Sequence, residues 1–279
     1  MIGAPAIAVA VVKGLVGLWL AAEGAPAAPA DVRAGGGVEG AGEDSGPNRV
    51  CLDRLRERYV EFVEWPTRGV RTPVKILGPL GGVRLRSHDP RSTSKTLLMD
   101  CELANALVDA APAWRSLGVR ELLYSGAYQY RTRRRSTKLS EHAHGLAIDV
   151  HAFVIDSGAR RPDGQVVAQP APSAAQVAPP GNGEDPDAGI VVEVTRDFEP
   201  GVGKWAVTAQ DDCIGHPRTD AGRTLRSLAC RLRASSIFRE VITPDDNADH
   251  HDHFHLEAFP DALTRTRAVL ARKPSVTDD

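Results

Sequence analysis

The chain predicts an α+β domain in which a small antiparallel sheet carries a site on one face and helices pack on the other. Three observations lead there. Stretches of helical periodicity and of strand alternation are interspersed without the regular βαβ alternation of a parallel fold. Two of the strand-like stretches, around 146–150 and 251–257, separate apolar from polar residues by parity. Finally, 279 residues with 42% hydrophobic content suffice for one domain of about 200 residues plus tails.

The elements follow in chain order. Lys13, the apolar run 14–22 and the small residues Ala25-Pro26-Ala27 read as a signal peptide or N-terminal anchor over 1–27. The run is short for a membrane span. Residues 28–48, rich in Ala, Gly and Pro, read as a disordered linker. The folded domain is expected over 49–272, with a tail at 273–279. Leu52, Leu55 and Tyr59 predict an opening helix, and 73–77 and 83–85 predict short strands beside Gly-Pro and Gly-Gly turns. Leu103, Leu107, Ala111, Trp114 and Leu117 form a helical stripe that Gly118 ends. Residues 121–128 read as a strand. Residues 156–187, rich in Pro, Ala, Gly and Gln, read as an insertion. Strand character returns at 190–194 and 204–207. Thr219 or Asp220 can cap a helix bearing Leu225, Leu228 and Leu232. Val241-Ile242-Thr243-Pro244 precedes the second histidine stretch, and Pro260-Asp261 can start a last helix through Leu270.

Charge and cysteines bound the function class. A formal charge of −2 gives no global drive toward nucleic acid or a membrane surface. Four cysteines without a C-x-x-C pair suit an exported protein with oxidised thiols better than a zinc knuckle. Of the three possible connectivities, Cys51–Cys101 with Cys213–Cys230 joins the segments nearest in sequence.

Seven of the nine histidines lie in or beside two stretches, SEHAHGLAID at 140–149 and HHDHFH at 250–255. In the first, Leu146, Ile148 and Val150 face a core while Asp149 and His151 face away. A lone carboxylate in so apolar a strand needs a cation or a hydrogen-bonded base. In the second, His251, His253, His255 and Glu257 share one face, opposite Phe254 and Leu256. His142 folds back toward Asp149 across the turn at Gly145. A single buried histidine is ordinarily a satisfied core residue. Two or more imidazoles converging on a carboxylate are instead the donor set of a catalytic zinc, which takes three protein ligands and keeps a position for water.

At these residues the chain resembles the extensin-like C-terminal domain family, itself similar to the lysostaphin-type and D-alanyl-D-alanine zinc metallopeptidases. Ser140-x-His142-x-x-Gly145-x-Ala147-x-Asp149 and His253-x-His255 carry the resemblance, which runs from about Cys51 to Pro260. It implies one Zn2+ held by His142, Asp149 and His255, with His253 as catalytic base or transition-state stabiliser and Arg131 on the substrate or its oxyanion. Tyr130 departs from the family, where many relatives have cysteine. His151 is then a candidate for supporting the ligands, and His144, His250 and His251 are expected to be accessory or structural. The implied activity is hydrolysis of amide bonds in peptidoglycan stem or crossbridge peptides by a monomer in the periplasm or cell envelope. A cell-wall-binding module without catalysis and a periplasmic metal-binding protein are the competing expectations. No proline-rich repeat of the extensin kind is present.

Overall fold

The computed structural model describes residues 48–94, 96–156, 189–203, 213–261 and 265. The expected leader, linker and tail, the body of the insertion, the strand at 204–207 and nearly all of the last helix lie outside the described residues.

Helix α1 (Arg49–Glu57) starts where the Asn48 side chain accepts a hydrogen bond from the Cys51 amide, and it buries Leu52 and Leu55. It stops short of Tyr59, which has φ +55° and is 93% exposed. The periodicity that included Tyr59 therefore overran the helix. Helix α2 (Cys101–Arg115) is capped by Asp100, whose carboxylate accepts from the Glu102 and Thr72 amides. Gly118, at φ +78°, follows it.

Strands β1 (Phe62–Glu64), β2 (Pro73–Ile76), β3 (Arg84–Ser87) and β4 (Leu97–Asp100) flank these helices. Three of them form an antiparallel sheet in the order β1-β2-β4. Neither β1 nor β4 was expected. The first is short and largely exposed, and the second is a brief apolar run leading straight into α2.

The larger sheet is built on β5 (Val119–Gly126), β6 (Ala147–Ile155), β7 (Ile190–Glu193), β8 (Glu240–Ile242) and β9 (Phe254–Glu257), with β3 at one edge. All its pairings are antiparallel except β3 with β5. Strand β6 is long enough to use one edge twice, against β9 over 147–150 and against β7 over 152–155. Its inner face supplies Ile148, Val150, Phe153 and Ile155 to a core shared with Leu103 and Trp114 of α2 and with α4 (Asp220–Ser235). Thr219 caps α4 through the Gly222 amide, and a four-residue helix α3 (Val194–Asp197) follows β7.

The apolar alternation of β6 changes phase once. Leu123 pairs with Ala152 and Tyr124 with Val150, so His151 is an extra residue, a β-bulge. The bulge keeps His151 on the outer face with Asp149, and Phe153 and Ile155 then resume the inner one.

Candidate metal centre

The sheet register makes the first contact of the site. Asp149 on β6 lies directly opposite His255 on β9, and Oδ1 of Asp149 is 2.7 Å from Nδ1 of His255. Phe254 and Leu256, both fully buried, hold β9 in place from the inner face.

His142 arrives from a 3-10 turn (Glu141–His144) capped by Ser140. Gly145 closes that turn at φ +67°, and a Cβ added there would sit 2.7 Å from the Asp100 amide nitrogen. Only glycine meets both requirements, since a side chain would be strained in this conformation and would collide with the cap of α2. The Gly145 carbonyl in turn accepts from Asp100 N.

The His142 ring is 3% exposed, and its Nδ1 lies 3.2 Å from the carbonyl of Ala127. A carbonyl only accepts, so Nδ1 donates and Nε2 of the neutral ring carries a lone pair. That Nε2 is buried without a hydrogen-bond partner; Oδ2 of Asp149 is 3.2 Å away but off the hydrogen-bonding direction. A buried nitrogen lone pair beside a carboxylate oxygen is unfavourable unless a cation lies between them.

The residues fit a metal on that ground and on spacing. Ligand atoms of His142, Asp149 and His255 all lie within 4.8 Å of one another. Donors about 2.0–2.1 Å from a tetrahedral zinc are about 3.4 Å apart, so little adjustment would bring the three onto one ion. His255 Nε2 bonds Oε1 of Glu257 at 3.0 Å, which leaves Nδ1 to turn toward Asp149.

Charge is concentrated here. Burial disfavours the Asp149 anion, but hydrogen bonds from His253 and His255 are among the effects that outweigh it and keep the carboxyl ionised far below the usual range. Burial opposes protonation of His255, yet Asp149 and Glu257 raise its pKa to about 9. Glu257, despite burial, is lowered to about 2 by His255 and Arg239. Arg239 bridges Glu257 to Glu141, which also receives Arg133 at 2.8 Å.

His253 stands beside this set, with Nε2 3.4 Å from Asp149 and Nδ1 2.7 Å from Oδ1 of Asp252. Burial pulls its pKa down, and the two carboxylates more than reverse this. Strand β9 begins only at Phe254, so the expected histidine row does not extend to His251. That residue is exposed and bonds the Ala248 carbonyl. A 3-10 turn (Ala248–His250) instead swings His250 inward, 5.1 Å from the His253 ring and 5.3 Å from that of His255. His144 contacts the Gly69 carbonyl at 3.0 Å, a structural tie.

A cleft of about 760 Å3 opens over the site, lined by His142, Asp149, His253 and His255 and on one wall by Arg131, Arg133 and Arg134. Arg133 pairs with Glu141 and Arg134 with Asp249. Arg131 has only Gln129 Oε1, at 2.9 Å, and so has no carboxylate partner among the described residues. The two cystines are Cys51–Cys101 and Cys213–Cys230, as expected, and neither enters this wall. It is tied down instead by Tyr128, whose hydroxyl donates to the Arg68 carbonyl, and by Tyr130 beneath the Arg68 guanidinium at 4.0 Å.

The sequence reading assigned no role to Glu257, Asp252, Arg239 or the Ala127 carbonyl. Glu257 alone had a visible signal, its parity with His255. The others depend on how loops fold back. The cystines are compatible with an exported protein. Among the described residues no helix is long and apolar enough to cross a membrane.

No curated protein and no solved structure matches the chain. Residues 49–166 match the family model described as extensin-like protein C-terminus. The match begins with α1 and includes Arg131, His142 and Asp149, while His253 and His255 join them through the pairing of β9 with β6. The match over this segment supports the extensin-like family for the chain.

Proposed function

We propose that the protein is an exported zinc-dependent hydrolase that cleaves amide bonds of peptidoglycan peptides. The observation that carries the reading is the buried Nε2 of His142, which makes no hydrogen bond among the described residues, converging with Asp149 and His255 in an open cleft. In this reading His142, Asp149 and His255 hold one zinc, which when bound supplies a Lewis acid and an acidified water. Asp149 contributes the negative charge of the set. Glu257 holds the His255 ring so that Nδ1 faces inward. His253 takes a proton at Nε2 and returns it to the leaving amine, with Asp252 fixing the ring through Nδ1. Arg131, the cleft cation without a carboxylate partner, receives an anionic group of the substrate. The substrate class rests on the family resemblance and on export.

Elemental analysis of protein purified without added zinc or chelator tests the reading, combined with muropeptide digestion. About one zinc per wild-type chain is expected, lost in His142→Ala together with activity. His253→Ala should keep the metal and lose about 10²–10⁴-fold in turnover, the range of general acid–base catalysis. A wild type that takes up no zinc even when it is offered would overturn the proposal.

A further inference from the structure

Beside the triad lies a second set with the same donor chemistry. The carboxylate of Asp252 spans two imidazoles, with Oδ1 2.7 Å from Nδ1 of His253 and Oδ2 3.9 Å from Nδ1 of His151. The donor atoms of the three residues lie within 4.8 Å of one another. His151 shares the outer face with Asp149, and its ring lies 5.2 Å from that of His253. Its ring is backed by His88, stacked at 4.8 Å and 17°, and makes no hydrogen bond among the described residues. The two imidazoles are largely enclosed, at 15% and 13% side-chain exposure, while Asp252 at 38% opens the set to solvent.

The geometry points to a second, weaker site for a first-row divalent cation, held by His151, Asp252 and His253, whose occupation disables His253. Two imidazoles and a carboxylate suit zinc and its neighbours. The partial exposure of Asp252 and the 3.9 Å separation make the set less preorganised than the buried triad. His253 belongs to both neighbourhoods, presenting Nε2 to Asp149 and Nδ1 to Asp252. A cation on Nδ1 displaces the proton now donated to Asp252. The remaining ring proton then resides on Nε2, and that nitrogen can no longer accept one. Excess metal would therefore suppress any reaction that uses His253 as a base, and only this consequence rests on the function proposed above. His250 is the rival third donor, but its Nδ1 is engaged by Asn247 at 2.6 Å and its other neighbour, His255, belongs to the triad.

Equilibrium dialysis of the full chain against increasing free zinc, with bound metal counted, tests the site without recourse to activity. Wild type should saturate at two equivalents and His250→Ala likewise. His151→Ala and Asp252→Asn should stop at one, and the retained tight equivalent shows that these variants are folded. The site is refuted if wild type never exceeds one equivalent, if the second survives in His151→Ala, or if His250→Ala removes it. Failure of the triad reading looks different, as a tight equivalent that persists in His142→Ala or never forms.

Discussion

At the scale of single residues, the proposed zinc would compete with a proton for the same nitrogen. In the metal-free protein His255 is held protonated up to about pH 9 by Asp149 and Glu257. Its folded pKa exceeds the ordinary 6.5, so this ion pairing stabilises the metal-free fold fully below pH 6.5 and is lost as pH rises through about 9. Metal binding has the opposite sign, because the ligand must be the neutral ring. Zinc affinity should therefore rise about tenfold per pH unit between pH 6.5 and 9 and flatten above, as one proton is released per ion. Competition titrations across that range check this; a flat profile would mean that His255 is not a ligand. Glu257→Gln removes the carboxylate behind His255 and should weaken zinc about 10–100-fold while leaving the ligands in place. At this scale the convergence of His142, Asp149, His253 and His255 was legible in the sequence, because the donor chemistry sought restricts the choice to a few residue types. Their supporting partners were not, because any nearby carboxylate or carbonyl can serve, and only the fold says which is near.

At the scale of elements, legibility tracked regular periodicity. Helices α2 and α4 carry full apolar stripes and clear caps, Asp100 and Thr219, and both lie within two residues of their expected limits. The histidine stretch at 250–255 failed as a strand because it leaves a 3-10 turn at His250 and runs through turn residues before β9 begins at Phe254, and parity counted through a turn has no meaning. The same failure hid His250, which enters the site from that turn rather than from the sheet. Strand β6 was read correctly as far as the bulge at His151, a feature that no alternation pattern encodes. The turn 141–145 is the element on which the site depends most, since it sets His142 against both Ala127 and Asp149. Gly145→Ala should destabilise the fold by about 1–3 kcal/mol, the cost of a left-handed non-glycine residue. The added methyl should also push the turn from the Asp100 amide and weaken zinc binding in the surviving folded protein. Denaturant melts with and without zinc measure both effects, and a variant with unchanged stability and affinity would show that the turn has slack.

At the scale of the molecule, the two cystines divide by their distance from the site in the contact chain. Cys51–Cys101 fastens α1 to the first residue of α2, and the amide of the neighbouring Asp100 donates to the Gly145 carbonyl. Asn105 reinforces the junction by donating to the Cys51 and Cys101 carbonyls. Cys213–Cys230 instead fastens the segment before α4 to the middle of that helix, and neither of its residues lines the cleft. Loop-closure entropy for separations of 50 and 17 residues assigns the bridges about 4 and about 3 kcal/mol respectively. The stability losses should thus be similar, and the functional losses should differ. A Cys51→Ala/Cys101→Ala variant frees the cap of α2, and with it the turn that presents His142, so zinc affinity should fall along with stability. A Cys213→Ala/Cys230→Ala variant should lose comparable stability but bind zinc as wild type does wherever it remains folded. Zinc titrations at a temperature where both variants are folded separate these outcomes. Equal loss of affinity in the two would mean that the site senses overall stability and not the path from Cys101 through Asp100 to Gly145.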